Sequence, residues 1–118
     1  MTGAAFRKLA LSFADTEARP HFDRTAFRTT RRTFATLGKD GTDANVQLEL
    51  DLQAELVESN PSIFAPCVGG WGRMGWTSIA LPEISAPETK KILADAYALA
   101  LPKPKLAKPT KRKPAKRA

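Results

Sequence analysis

Histidine and cysteine are nearly absent. The 118 residues include one of each, His21 and Cys67. A single cysteine excludes an intrachain disulfide and agrees with a reducing compartment. The paired Cys or His spacings of a zinc site are missing. No compact acidic loop resembles an oxygen-ligand site. Neither a metal nor a cofactor is therefore expected. No apolar run approaches the roughly 18 residues of a membrane span. The N-terminus has no charged segment followed by an apolar core and a cleavage site. The resulting expectation is a cytoplasmic protein without a membrane span.

Acid is missing from one region. Residues 1–101 hold 11 Lys/Arg against 12 Asp/Glu, a net of −1, while residues 102–118 hold 8 Lys/Arg and no acid, a net of +8. The net charge of +7 therefore belongs to the tail. The chain divides into a domain over 1–101 and a basic Lys/Pro-rich tail over 102–118. In the tail, Lys103, Lys105, Lys108, Lys111, Arg112, Lys113, Lys116 and Arg117 alternate with four prolines, and Leu106 is the one large aliphatic residue. Charge repulsion and proline both oppose folding there, so the tail is expected to be disordered or extended. Its cations attract DNA or another polyanion irrespective of sequence.

The domain shows mixed periodicity. Thr2 is placed to cap a helix over about 3–13, with Phe6, Leu9, Ala10 and Phe13 on one face. Residues 14–24 are polar, and Arg19-Pro20-His21-Phe22 reads as extended, with Phe22 assigned to the core. Thr25–Thr29 and Thr33–Leu37 are strand candidates around a Thr30-Arg31-Arg32 turn. Asp40-Gly41 marks the next turn. Asn45–Leu50 alternates cleanly, with Val46, Leu48 and Leu50 inward. The three strands make an antiparallel meander. Asp51 is placed to cap a short helix that Asn60-Pro61 stops. Residues 62–68 form an apolar connection. Ser85 and Glu88 make a capping box for a last helix that runs to about Leu101.

The most specialised stretch is Gly69-Gly70-Trp71-Gly72-Arg73-Met74-Gly75-Trp76-Thr77. A glycine cluster needs a geometric reason, such as a tight loop or close backbone approach. Trp76–Leu81 then alternates as a strand. The lysine and Ser/Thr of a nucleotide-binding P-loop are missing, and the loop enters a strand, not a helix. Trp76 reads as a structural anchor. Trp71 can stack on a base or a partner side chain, and Arg73 can hold a phosphate or carboxylate in its forked donors. Arg31 and Arg32, at one turn, add two cations that can reach phosphate if they share a face with Arg73. Cys67, flanked by Pro66 and Val68, reads as a buried inert thiol; a catalytic pair with His21 is the enzymatic alternative.

Pro20-His21-Phe22, Phe27-Arg28, Phe34–Leu37 and Gly70–Thr77 together resemble the MmcQ/YjbR family of small bacterial proteins over about residues 3–101. The resemblance implies an α+β fold of the frataxin-like, double-wing type, with an antiparallel sheet packed against N- and C-terminal helices. It also implies DNA binding, a description that rests on likeness to a phage transcription-factor domain. Thr29-Thr30-Arg31-Arg32 adds charge at a turn that is glycine-rich or apolar in many members, and the tail lies outside the family pattern.

The sequence thus points to a non-enzymatic DNA-binding protein. Arg31, Arg32, Trp71 and Arg73 would act from the domain, and the eight tail cations would add nonspecific affinity. A protein- or small-ligand-binding adaptor using the Trp71/Arg73 surface is the alternative. The oligomeric state is open, a monomer included.

Overall fold

The computed structural model describes residues 1–101; the tail lies outside the described residues. Helix α1 (Gly3–Leu11) is followed by β1 (Glu17–His21), β2 (Arg24–Arg28), β3 (Thr33–Leu37) and β4 (Asp43–Gln47). Then come α2 (Leu50–Ser59), β5 (Phe64–Pro66), the single turn α3 (Gly70–Arg73), β6 (Trp76–Ala80), a 3₁₀ turn (Leu81–Glu83) and α4 (Ala86–Ala100). The strands form one sheet in the order β1-β2-β3-β4-β6-β5, and every neighbouring pair is antiparallel. This is the α+β arrangement expected, widened from a meander to six strands.

Two of the three expected helix starts are present. Thr2 Oγ1 accepts from the Ala5 amide at 3.0 Å, and Ser85 Oγ accepts from the Glu88 amide at 3.3 Å. Each bond satisfies one donor that a helix N-terminus leaves free. Helix α2 starts earlier than expected. Glu49 holds the cap position without a side-chain bond, and Asp51 falls in the first turn, where its charge still favours the helix dipole. This shift carries Leu50 out of the strand pattern and leaves it 54% exposed, not inward.

Helices α1 and α4 cover one face of the sheet. The core between them contains Phe6, Phe27, Phe34, Val46, Ile79 and Leu93, all fully buried or nearly so. Phe6 meets Phe27 edge-on, and Phe34 meets both Phe13 and Tyr97 in the same way. Phe13 lies beyond the end of α1 but still packs against this core.

A β-bulge separates the two faces of β3. Phe27 opposes Ala35, but the next residue, Arg28, opposes Thr33, so Phe34 is the unmatched extra residue. Phe34 and Ala35 are consecutive and both fully buried. Thr33 and Thr36, on either side of them, both border a cavity on the opposite face. A regular strand would have sent one of those threonines into the core.

The β2–β3 turn docks on the end of α4. Thr29 Oγ1 donates to the Ala100 carbonyl at 2.8 Å and accepts from the Arg31 and Arg32 amides. Arg31 and Arg32 both donate from Nη2 to the Leu99 carbonyl, at 2.6 and 3.1 Å. They satisfy an acceptor that a helix C-terminus leaves open and place positive charge where its dipole is negative.

Candidate functional site

The face of the sheet turned away from α1 and α4 carries a groove of about 520 Å³. Its floor comes from four strands. Register places Ala26 beside Thr36, Thr36 beside Asn45, and Asn45 beside Ser78, in one row across the sheet. Arg24, Thr33, Thr36, Asn45 and Trp76 line the groove from the strands. His21 and Phe22 close one side from the β1–β2 hairpin, while Cys67, Val68 and Trp71 close the other from the segment after β5.

The aromatic rim is held open by backbone geometry. Phe22 is not a core residue. It is 94% exposed and sits at φ 58°, in the left-handed region. His21 opposes Arg24, which leaves Phe22 and Asp23 as a two-residue hairpin loop. Such loops need a positive φ to match the strand twist, and here a phenylalanine supplies it where glycine or asparagine is usual. That backbone costs about 1–2 kcal/mol for a residue with a β-carbon. The His21 ring meets the Phe22 ring at 4.9 Å and 68°.

On the opposite rim, Trp71 is 62% exposed and stands against Trp76 at 6.4 Å and 81°. The glycines make this possible. A β-carbon on Gly72 would lie 2.1 Å from the Cys67 carbonyl oxygen, and one on Gly75, at φ 97°, would lie 1.9 Å from the Leu48 carbonyl oxygen. Buried Gln53 of α2 fastens the turn, its Nε2 lying 3.0–3.1 Å from the Gly72 and Trp76 carbonyls and from Thr77 Oγ1. The stretch is therefore one helical turn and not an open loop.

Polar groups in the floor are unequally engaged. Arg24 donates from Nε to Thr36 Oγ1 and from Nη1 to Asp43, both at 2.9 Å. Its charge is thereby matched by Asp43, and its Nη2 is buried without a partner. Asn45 makes no side-chain hydrogen bond to another described residue, although it sits at the centre of the floor. Cys67 is half-buried and borders the groove, so it is not the sealed thiol expected from its neighbours. Burial pushes its pKa above the usual 9.0, opposed by the Arg24 charge and reinforced by Asp43.

The sequence-predicted site residues fall in different places. Trp71 is on the groove rim. Arg73, two residues on, is exposed and makes no ion pair among the described residues. Arg31 and Arg32 are tied to α4, and Arg32 borders a separate surface hollow with Gln47, Met74 and Leu99. The tail cations Lys103 through Arg117 lie outside the described residues. Sequence reading missed Arg24, Thr33, Thr36 and Asn45 as one surface. The legible signal was the outward set of each strand; the pairing that aligns those sets was not legible. Among the described residues no group of three or more His, Cys, Asp or Glu is placed to hold a metal. No helix among them is long and apolar enough to cross a membrane.

An antiparallel sheet backed by terminal helices on one face and grooved on the other defines a small α+β domain. The sequence profile of the YjbR family matches residues 11–99, and the chain belongs to that family. Two solved structures share the fold. The Deinococcus radiodurans protein DR2400, which carries a DUF419 domain, aligns with a TM-score of 0.72 at 17% identity, over 83% of this chain and 77% of that one. A Pseudomonas syringae protein aligns with a TM-score of 0.69 at 18% identity, over 86% of this chain and 100% of that one. No curated protein matches the chain.

Proposed function

We propose that the domain is a non-enzymatic cytoplasmic recognition module, and that the aromatic groove on the open sheet face is its binding surface. The observation that carries this reading is the pairing of an exposed Phe22 in a strained backbone with an exposed Trp71 across one cavity. Large exposed rings and a costly φ at the same site are what a binding rim requires and what packing alone would remove. The volume falls within the range of about 300–1,000 Å³ typical of ligand sites. Thiol catalysis fits less well, because burial keeps the Cys67 thiol protonated.

The test is a titration of the full chain with the uncharged fluorescent naphthalene probe N-phenyl-1-naphthylamine. Saturable binding that weakens at least tenfold in Trp71→Ala and in Phe22→Ala is expected. Binding indifferent to both substitutions would remove the groove as the recognition surface.

DNA binding is a second reading, favoured by the segregation of charge. Eight cations without acid in residues 102–118 attract phosphate, whereas the near-neutral domain does not. Duplex DNA affinity should fall steeply between 50 and 200 mM salt and collapse when the eight tail cations are replaced by alanine. Affinity that survives that replacement would overturn the tail's role. Arg31→Ala and Arg32→Ala are expected to lower DNA affinity less than replacement of the tail cations, because each removes one positive charge against the tail's eight.

A further inference from the structure

We infer that the groove takes an unstacked purine base of the adenine type, with Trp71 as the stacking platform and Asn45 reading the edge of the ring. This rests on the groove being the recognition surface.

The walls select a flat ring. Trp71 is exposed on the groove rim, and its ring meets that of Trp76 edge-on. Across the groove, His21 and Phe22 present two further rings. Aromatic faces that share one cavity bind planar heterocycles through stacking. The volume exceeds that of a single base, so a nucleoside or a strand passing through can be accommodated.

The floor selects against two other ligand classes. An anion finds no net positive charge there, because Asp43 matches Arg24 at 2.9 Å and only the donor on Arg24 Nη2 is left over. An aliphatic ligand would cover the Asn45 amide and leave its donor and acceptor unmet, a loss of about 1–3 kcal/mol. A neutral ring with an acceptor beside a donor on one edge meets both conditions. Asn45 offers the complementary donor and acceptor, as asparagine does to adenine N7 and N6. In the row across the sheet, Thr36, which accepts the Arg24 bond, lies on one side of it and Ser78 on the other.

Adenosine is uncharged, so its binding isolates the groove from the basic tail. The experiment titrates the full chain with adenosine and with purine riboside, which lacks the exocyclic amine, in 0.5 M NaCl, following tryptophan emission. Adenosine should quench and bind at least fivefold tighter than purine riboside. Trp71→Ala should weaken both by about tenfold, within the range of base–aromatic stacking. Asn45→Leu and Asn45→Ser should erase the difference between them, with native circular dichroism retained in at least one.

Equal affinity for the two nucleosides, or a ratio unchanged by both Asn45 variants, would overturn edge reading. No quenching by either nucleoside, with Trp71-dependent binding of the naphthalene probe intact, would overturn the inference and leave the groove reading standing. Loss of all three ligands' binding would overturn both. A five-residue oligoadenylate binding tenfold tighter than adenosine would assign the base to a single strand. Equal binding would assign it to a free nucleoside, and either outcome supports the same chemistry.

Discussion

Gln53 on α2 donates from its side-chain amide to Thr77 Oγ1 on β6 at 3.1 Å, and the Thr77 hydroxyl in turn donates to the Gly75 carbonyl at 3.0 Å. The same amide nitrogen meets the carbonyls of Gly72 and Trp76. One buried side chain thus ties the turn that carries Trp71 to the start of β6. Gln53→Leu fills the volume but supplies no donor. It should lower the unfolding free energy by about 1–3 kcal/mol, the penalty for stranded buried acceptors, as read by urea denaturation.

The glycines of this segment should not be equivalent. Gly72→Ala and Gly75→Ala drive a methyl group into backbone oxygens that cannot swing aside. Gly69 also has a positive φ, but nothing lies within 4 Å of its missing β-carbon. Gly69→Ala should therefore cost about 1–3 kcal/mol, from backbone strain alone. The other two should cost more and disturb Trp71 emission. Equal melting temperatures for the three variants would contradict this ordering.

Stability and binding should diverge at Phe22. Phe22→Asn replaces a strained residue with one that tolerates the left-handed region and removes no buried area. A gain of about 0.5–1 kcal/mol in unfolding free energy is expected, a fraction of the strain it relieves. The naphthalene probe should bind more weakly to the same variant. A loss of stability would show that the exposed ring contributes to the fold.

Cys67 links pH to both reactivity and stability. Its pKa is raised in the folded state, so the folded chain retains the thiol proton to higher pH than the unfolded chain does. The associated stabilisation is complete below the usual thiol pKa of 9.0 and is lost as pH rises through the folded value. Iodoacetamide should therefore label Cys67 more slowly than a free thiol at pH 8, and faster in urea. Cys67→Ser should flatten the decline in stability on the alkaline side of pH 9. The thiolate is the reactive species, so labelling as fast as a free thiol would refute the shift.

Much of the fold was legible because burial imposes a period. The faces of α1 and α4, their Thr2 and Ser85 caps, and the alternation through Val46 and Leu48 all reflect one covered side. The strand β1 lacked such a signal. It is an edge strand, mostly exposed, with Pro20 and an Arg19–Glu17 pair instead of an apolar set. The three residues of β5 and four of α3 are too short to show any period. Phe22 was assigned to the core by its chemistry, whereas its position in a two-residue loop places it in solvent. The groove was the least legible feature, since Arg24, Thr36, Asn45 and Trp76 meet only through cross-strand register.

The unmatched Phe34 also makes the length of β3 a structural quantity. Before it, an odd-numbered residue faces the groove; after it, an even-numbered one does. The strand thus carries a half-period phase slip, and the core and the groove are written in different frames. Exchanging one residue for another leaves both frames intact. Deleting one between Thr33 and Ala35 brings the strand back into step, and one frame then overwrites the other: a threonine enters the core or a groove wall is lost. The separation of core from groove along β3 therefore depends on residue count as well as on residue type.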